Sequence, residues 1–283
     1  GGRYGESDRV MTEERVWLES YPEGVPTDID ASEYESLVGL MAESFAKYAQ
    51  RTAYSFMGQD ISYEETDVKS QFLAAYFQSV GLQKGDRVAI MMPNVPQYPV
   101  AVAAILRAGL VVVNVNPLYT PRELEHQLTD SGAKAIVIIE NFAITLQKCI
   151  KQTQVNHIVM CAMGDMLNWP KSAVVNFVVR NMKNLVPEFH LFGAVKFNQA
   201  LRIGSEVRFR PPTVSAEDIA LLQYTGGTTG ISKGAVLLHR NVIANLLQSE
   251  AWNEPVMKRV PANEQPTSVC ALPLYHIFAF TVN

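Results

Sequence analysis

An alternation of short apolar runs with capped helical stretches, from residue 86 to residue 160, constrains the fold more than anything else in this chain. Residues 86–92 (DRVAIMM) read as a short buried strand, and 96–108 as a helix closed by Gly109. Residues 110–115 form a β-branched strand. Thr120-Pro121-Arg122-Glu123 then opens a helix, with threonine as N-cap, proline in the first turn and glutamate completing a capping box. Ser131-Gly132 ends it. Residues 135–139 are a strand, 141–152 a helix and 157–160 a strand. Strands that alternate with helices in this way imply crossovers and a parallel sheet covered on both faces. In such sheets ligands bind at the carboxyl ends of the strands. Upstream, Ser32-Glu33-Tyr34-Glu35 reads as a capping box ahead of Leu37, Met41, Phe45 and Tyr48 at helical spacing.

Composition narrows the function classes. At 283 residues the chain is long enough for roughly two domains or subdomains. It is 48% hydrophobic and 18% charged, which excludes a disordered or collagen-like chain. Lys and Arg total 24 against 28 Asp and Glu, so no basic surplus points to nucleic acid. Cys149, Cys161 and Cys270 are scattered, without zinc-ligand spacing, and are expected as buried thiols in a reducing compartment. No metal site is expected. There is no apolar h-region near the N-terminus, and no run reaches 18 apolar residues, so the expectation is a cytoplasmic protein.

Residues 171–186 stand apart. Val174, Val175, Val178, Val179, Met182, Leu185 and Val186 share one face of a helical wheel, with Lys171, Arg180 and Lys183 among the polar positions and Trp169 just before. The bland reading is a surface helix facing the core. The sharper one is a basic amphipathic helix that touches a membrane, peripherally on the inner face of the cytoplasmic membrane.

The chemistry is concentrated in one loop. Residues 219–224 (IALLQY) are an apolar strand, followed at once by Thr225-Gly226-Gly227-Thr228-Thr229-Gly230-Ile231-Ser232-Lys233-Gly234. Glycines let the backbone approach an anion closely, and successive N–H groups form an anion-binding concavity. Three threonine hydroxyls add donors and Lys233 adds a point charge. The combination reads as a polyphosphate cradle. It is not a Walker A loop, because Ser232 precedes Lys233 and Gly234 follows it. The bland alternative is a flexible Gly/Thr linker. A helix starts near His239.

Residues 224–234 resemble the signature loop of the adenylate-forming superfamily, [Y/F]-T-S-G-T-T-G-x-P-K-G, with Gly226 where serine is commoner and Ser232 where proline is commoner. Ile61-Ser62-Tyr63-Glu64-Glu65, Leu106-Arg107-Ala108-Gly109 with Asn116-Pro117, and Leu272-Pro273-Leu274-Tyr275-His276 resemble three further motifs of that superfamily, in its order. Val16-Trp17-Leu18 with Tyr21-Pro22, the stretch from Asn116 to Leu124 (NPLYTPREL), and Tyr275-His276-Ile277-Phe278 are similar to bacterial long-chain fatty-acid–CoA ligases.

The resemblance implies an α/β fold: parallel-sheet layers covered by helices, the N-terminal portion of the large domain of that superfamily, incomplete at the C-terminus. The expected division is a leader or cloning scar at 1–10, an α/β subdomain at 11–215 with an amphipathic insertion near 166–200, and the start of a second subdomain at 216–283. The implied reaction has two steps. A fatty-acid carboxylate attacks the α-phosphate of ATP, giving an acyl-adenylate and pyrophosphate; the CoA thiol then displaces AMP. Tyr224, Thr225, Gly226, Gly227, Thr228, Thr229, Gly230, Lys233 and Gly234 would grip the nucleotide, with Mg²⁺ sharing the charge. His276 matches the histidine beside the substrate carboxylate, and Phe280 resembles a gate into an acyl tunnel or else packs in the core. His239 and Asn241 match a recurrent His-x-Asn segment, where helix-start structure is the expected role. No segment resembles the superfamily's later Mg²⁺-binding, ribose-binding, hinge and C-terminal lysine motifs, so the chain is expected to be an N-terminal fragment, inactive alone. The rivals are a non-catalytic nucleotide- or acyl-binding module, and a ligase for aromatic or short acids. A homodimer is left open.

Overall fold

The computed structural model describes residues 30–225, 232–261, 264–270 and 274. Helix α1 (Leu37–Lys47) is followed by a hairpin of β1 (Thr52–Phe56) and β2 (Gln59–Ser62), which form a separate two-stranded antiparallel sheet. Then come α2 (Tyr63–Ser79), β3 (Arg87–Met91), α3 (Gln97–Arg107), β4 (Val111–Asn114), α4 (Pro121–Ser131), β5 (Ala135–Ile139), α5 (Ala143–Cys149) and β6 (His157–Cys161). Helix α6 (Lys171–Phe177), β7 (Val195–Lys196), α7 (Phe197–Ser205), β8 (Ile219–Thr225), β9 (Lys233–Leu238) and α8 (His239–Met257) complete the described elements.

Strands β3 to β9 make one sheet in the order β7-β6-β5-β3-β4-β8-β9. All its pairings are parallel except β8 with β9. Both faces are covered, which is why the central strands read as continuous apolar runs. On β3, Val88 and Ile90 face one core with Phe77 of α2, Ile105 of α3, Leu201 of α7 and Ile243 of α8. Ala89 and Met91 face the other core with Leu124 and Leu128 of α4 and Leu146 of α5. The parallel α/β expectation therefore holds, with an antiparallel partner added at the β8 edge. Strand β8 docks on β4 through Val112↔Leu221 and Val113↔Leu222, so residues on either side of 215/216 share one sheet.

The local signals that encode caps were accurate in the middle of the chain. Thr120 accepts a hydrogen bond from the Glu123 N–H at 3.3 Å, Pro121 opens α4, and Gly132 closes it with φ +64°. Ser62 caps α2 by accepting from the Glu65 N–H at 3.0 Å, within one of the sequence motifs.

Three expectations need correction. Ser32 does not cap α1: Asp30 accepts from the Ser32 N–H in a short 3₁₀ turn, and the helix starts at Leu37 behind Ser36. Residues 171–186 are not one helix. Helix α6 ends at Phe177 and a π-helical turn, Val178–Met182, follows. A π turn adds a residue per turn and rotates everything after it, so the wheel fails. Val179 is buried, whereas Trp169, Val174, Phe177, Met182 and Leu185 are exposed, Trp169 by 83% and Met182 by 69%. Finally, Cys149 and Cys161 are buried but Cys270 is exposed. Burial pushes the Cys149 thiol up to about 11 and the Cys161 thiol well above its usual range, which leaves both unreactive.

Candidate functional site

The parallel strands of the large sheet all end at the same side, and β4 and β8 end there at Asn114 and Thr225. Beneath those ends lies a buried polar network that an apolar core would not contain. Tyr98 Oη donates to Asn114 Oδ1 at 2.6 Å, and Gln127 Nε2 donates to the Asn114 carbonyl at 2.7 Å. Asn114 Nδ2 donates to Gln223 Oε1 at 3.4 Å. Buried polar side chains cost free energy unless they are bonded, so each link fixes its neighbours. The network ties α3, β4, α4 and β8 together one residue before Tyr224.

Tyr224 is buried at the end of β8 and donates from Oη to Asp130 Oδ2 at 2.7 Å. Burial, reinforced by that carboxylate, holds its hydroxyl protonated well above the usual phenol range. Its ring covers Gly234, its register partner on β9. A Cβ at Gly234 would lie 2.9 Å from Tyr224 Cζ, so this glycine is required by a close approach. Thr225 pairs with Lys233, which places the two ends of the Gly/Thr loop side by side. Ser232 Oγ donates to the Thr225 carbonyl at 2.7 Å and closes the base further. Thr225, Lys233 and Gly234 are exposed.

Among the predicted site residues, the structure thus brings together Tyr224, Thr225, Lys233 and Gly234. Gly226, Gly227, Thr228, Thr229 and Gly230, with His276 and Phe280, lie outside the described residues. So do residues 1–10, the Val16 to Pro22 motif and Tyr275 to Phe278. His239 and Asn241 start α8. His239 is fully buried, and its Nδ1 accepts from the Leu37 N–H at 3.1 Å. Asn241 Oδ1 accepts from the Leu238 N–H at 2.9 Å. Asn241 has the helix-start role read from the sequence, whereas the His239 side chain serves the first N–H of α1.

The sequence reading missed Tyr98, Asn114, His126, Gln127, Asp130 and Gln223. Two of them carried a signal. Asn114 and Gln223 are polar residues at or near the ends of otherwise apolar strands (VVVN and IALLQYT), the pattern of strand ends that face a site rather than a core. Among the described residues no group of His, Cys, Asp and Glu side chains could hold a metal ion.

A mostly parallel sheet covered by helices, with Tyr224 and Thr225 of β8 paired to Gly234 and Lys233 of β9 at the carboxyl ends of its strands, defines an α/β protein. The chain belongs to the AMP-binding enzyme family, whose sequence pattern matches residues 41–283. It is 53% identical to a long-chain-fatty-acid–CoA ligase of Escherichia coli O6:H1 over 270 residues, 95% of this chain and 47% of that protein. It is 26% identical to a 4-coumarate–CoA ligase of Arabidopsis thaliana over 78% of this chain and 35% of that one. The crystal structure of a long-chain-fatty-acid–CoA ligase from Archaeoglobus fulgidus superposes with a TM-score of 0.66 at 24% identity, over 93% of this chain and 46% of that one, and shares the fold. The chain spans about half the length of the curated relatives it matches.

Proposed function

We propose that this chain forms part of an ATP-dependent long-chain fatty-acid–CoA ligase, in which residues 224–234 grip the phosphates of ATP. The observation that carries this reading is 53% identity to a long-chain-fatty-acid–CoA ligase across 95% of the chain. The 26% identity to a ligase named for an aromatic acid is a much weaker match, which favours fatty acids over aromatic ones. A carboxylate is a poor acyl donor, and joining it to the α-phosphate of ATP provides a leaving group that CoA can displace. The protein's share of such a step is positioning and charge stabilisation. Lys233 supplies the positive charge, the loop N–H groups and threonine hydroxyls supply donors, and Tyr224 and Ser232 fix the frame. Mg²⁺ would neutralise further phosphate charge; among the described residues no group of His, Cys, Asp and Glu side chains could hold it. His276 would orient the carboxylate, with Phe280 at the entry of the acyl chain.

The test is palmitate-dependent ATP–pyrophosphate exchange, run on the chain alone and on the chain joined to the remaining half of the E. coli relative. The joined protein is expected to exchange with palmitate and not with 4-coumarate, and the chain alone to be inactive. Exchange with the aromatic acid in preference would overturn the long-chain reading.

The same protein is proposed to lie in the cytoplasm and meet the inner face of the cytoplasmic membrane through 171–186. The exposed side chains of Trp169, Val174, Phe177, Met182 and Leu185 support this, with Lys183 beside them. Two of the three basic residues are occupied: Lys171 donates to the Met57 carbonyl, and Arg180 pairs with Glu140 at 2.8 Å. The contact would therefore be mainly apolar and weakly salt-dependent. Phe177→Ser with Met182→Ser is expected to release the chain from anionic vesicles in a sedimentation assay; unchanged binding would remove the membrane from the account.

A further inference from the structure

Helix α4 presents two side chains, four residues apart on one face, to the two ends of the Gly/Thr loop. His126 Nε2 lies 3.1 Å from the carbonyl oxygen of Ser232. A carbonyl only accepts, so Nε2 carries a proton and donates. Asp130, one turn on, accepts from Tyr224 Oη at 2.7 Å. Between these bonds, Ser232 donates its own hydroxyl to the Thr225 carbonyl at 2.7 Å. The residue before Lys233 is held on both sides, its side chain by β8 and its backbone by α4. Helix α4 is itself fixed: Leu124 and Leu128 are buried, and Gln127 donates to the Asn114 carbonyl at 2.7 Å.

This arrangement answers a need created by the sequence. Proline at position 232 would fix the backbone before the lysine by its ring alone. Serine has no such constraint. A lysine is a flexible point charge whose reach depends on where its backbone is rooted. We propose that His126 is a positioning residue of the phosphate loop. By holding the Ser232 carbonyl it sets the direction in which Lys233 leaves β9 toward a polyphosphate, and Asp130 does the same for Tyr224 at the other end. This rests on the reading of residues 224–234 as a polyphosphate cradle.

The experiment compares the chain with His126→Ala and His126→Gln, the latter keeping an N–H donor at similar reach. Two quantities are read: hydrogen–deuterium exchange of the peptide spanning 219–238, and affinity for inorganic tripolyphosphate. His126→Ala is expected to speed exchange at Ser232 and Lys233 and to weaken tripolyphosphate about fivefold, the factor one net hydrogen bond carries. His126→Gln is expected to return both toward the unmutated values, which a change in helix packing alone would not do. Should alanine unfold the chain, His126→Asn, too short to reach Ser232, takes its place. Unchanged exchange and affinity in the variant that lacks the donor, or glutamine behaving like alanine, would overturn the proposal. If the unmutated chain takes up no tripolyphosphate while exchange still separates alanine from glutamine, the cradle reading falls and the bracing by His126 stands.

Discussion

His239 couples a single side chain to the acid stability of the fold. It is fully buried at the start of α8, with Nδ1 accepting from Leu37. Burial lowers its pKa from 6.5 to about 4, partly opposed by Asp218 and reinforced by Lys84. The unfolded chain takes up this proton near pH 6.5 and the folded chain only near 4. Between those values the unfolded state holds more protons, so stability rises with pH and is lost on acidification. Denaturant titrations from pH 7 to pH 4 are expected to show that loss, and His239→Asn, which keeps an acceptor and cannot charge, to flatten it. An equally steep loss in the variant would assign the effect to other groups. Gly234 makes a second residue-scale test. Its missing Cβ is occupied by the Tyr224 ring, so Gly234→Ala must displace that ring and its bond to Asp130. The expected cost is about 1–3 kcal/mol in chemical denaturation, and an unaltered midpoint would contradict the close approach.

In α4 capping chemistry and apolar periodicity agreed and both ends were legible, whereas at α1 the periodicity was right and the cap was not. Thr120, Pro121, Glu123 and Gly132 each specify an end of α4, and the structure uses all four. Thr120→Ala is accordingly expected to cost about 1 kcal/mol, read by thermal or denaturant unfolding. The hairpin β1–β2 gave no comparable signal: its strands are four and five residues long and mostly half-buried, so their alternation is weak. Helix α7 escaped notice as well. It reaches α2 so closely that a Cβ on Gly204 would fall 1.8 Å from the Phe72 carbonyl oxygen. Contacts between elements distant in the chain leave no local trace. Gly204→Ala is expected to force α7 away from α2 and to destabilise the chain by about 1–3 kcal/mol or more; a neutral result would contradict the packing of these helices. The break of 171–186 into a helix and a π turn was hidden for a related reason. Arg180 is drawn inward to Glu140 at the end of β5, and that pair is invisible to a helical wheel.

At the scale of the whole molecule, a seven-stranded, mostly parallel sheet brings β8 beside β4 and joins Gln223, next to Tyr224, to a buried polar network. The loop stood out in the sequence because glycine, threonine and lysine at this spacing suit an anion, which is the basis of the proposal. Its supports did not, because His126 and Asp130 lie on a helix 94 or more residues away in the chain. The proposed role of this loop is to hold the phosphates of a nucleotide. Equilibrium titration of the chain with ATP, with Lys233→Ala alongside, tests it most directly. Saturable binding is expected, which tripolyphosphate competes away and the alanine variant weakens by about tenfold or more through the loss of a charge-assisted contact. Equal affinity of the two proteins for ATP would contradict it.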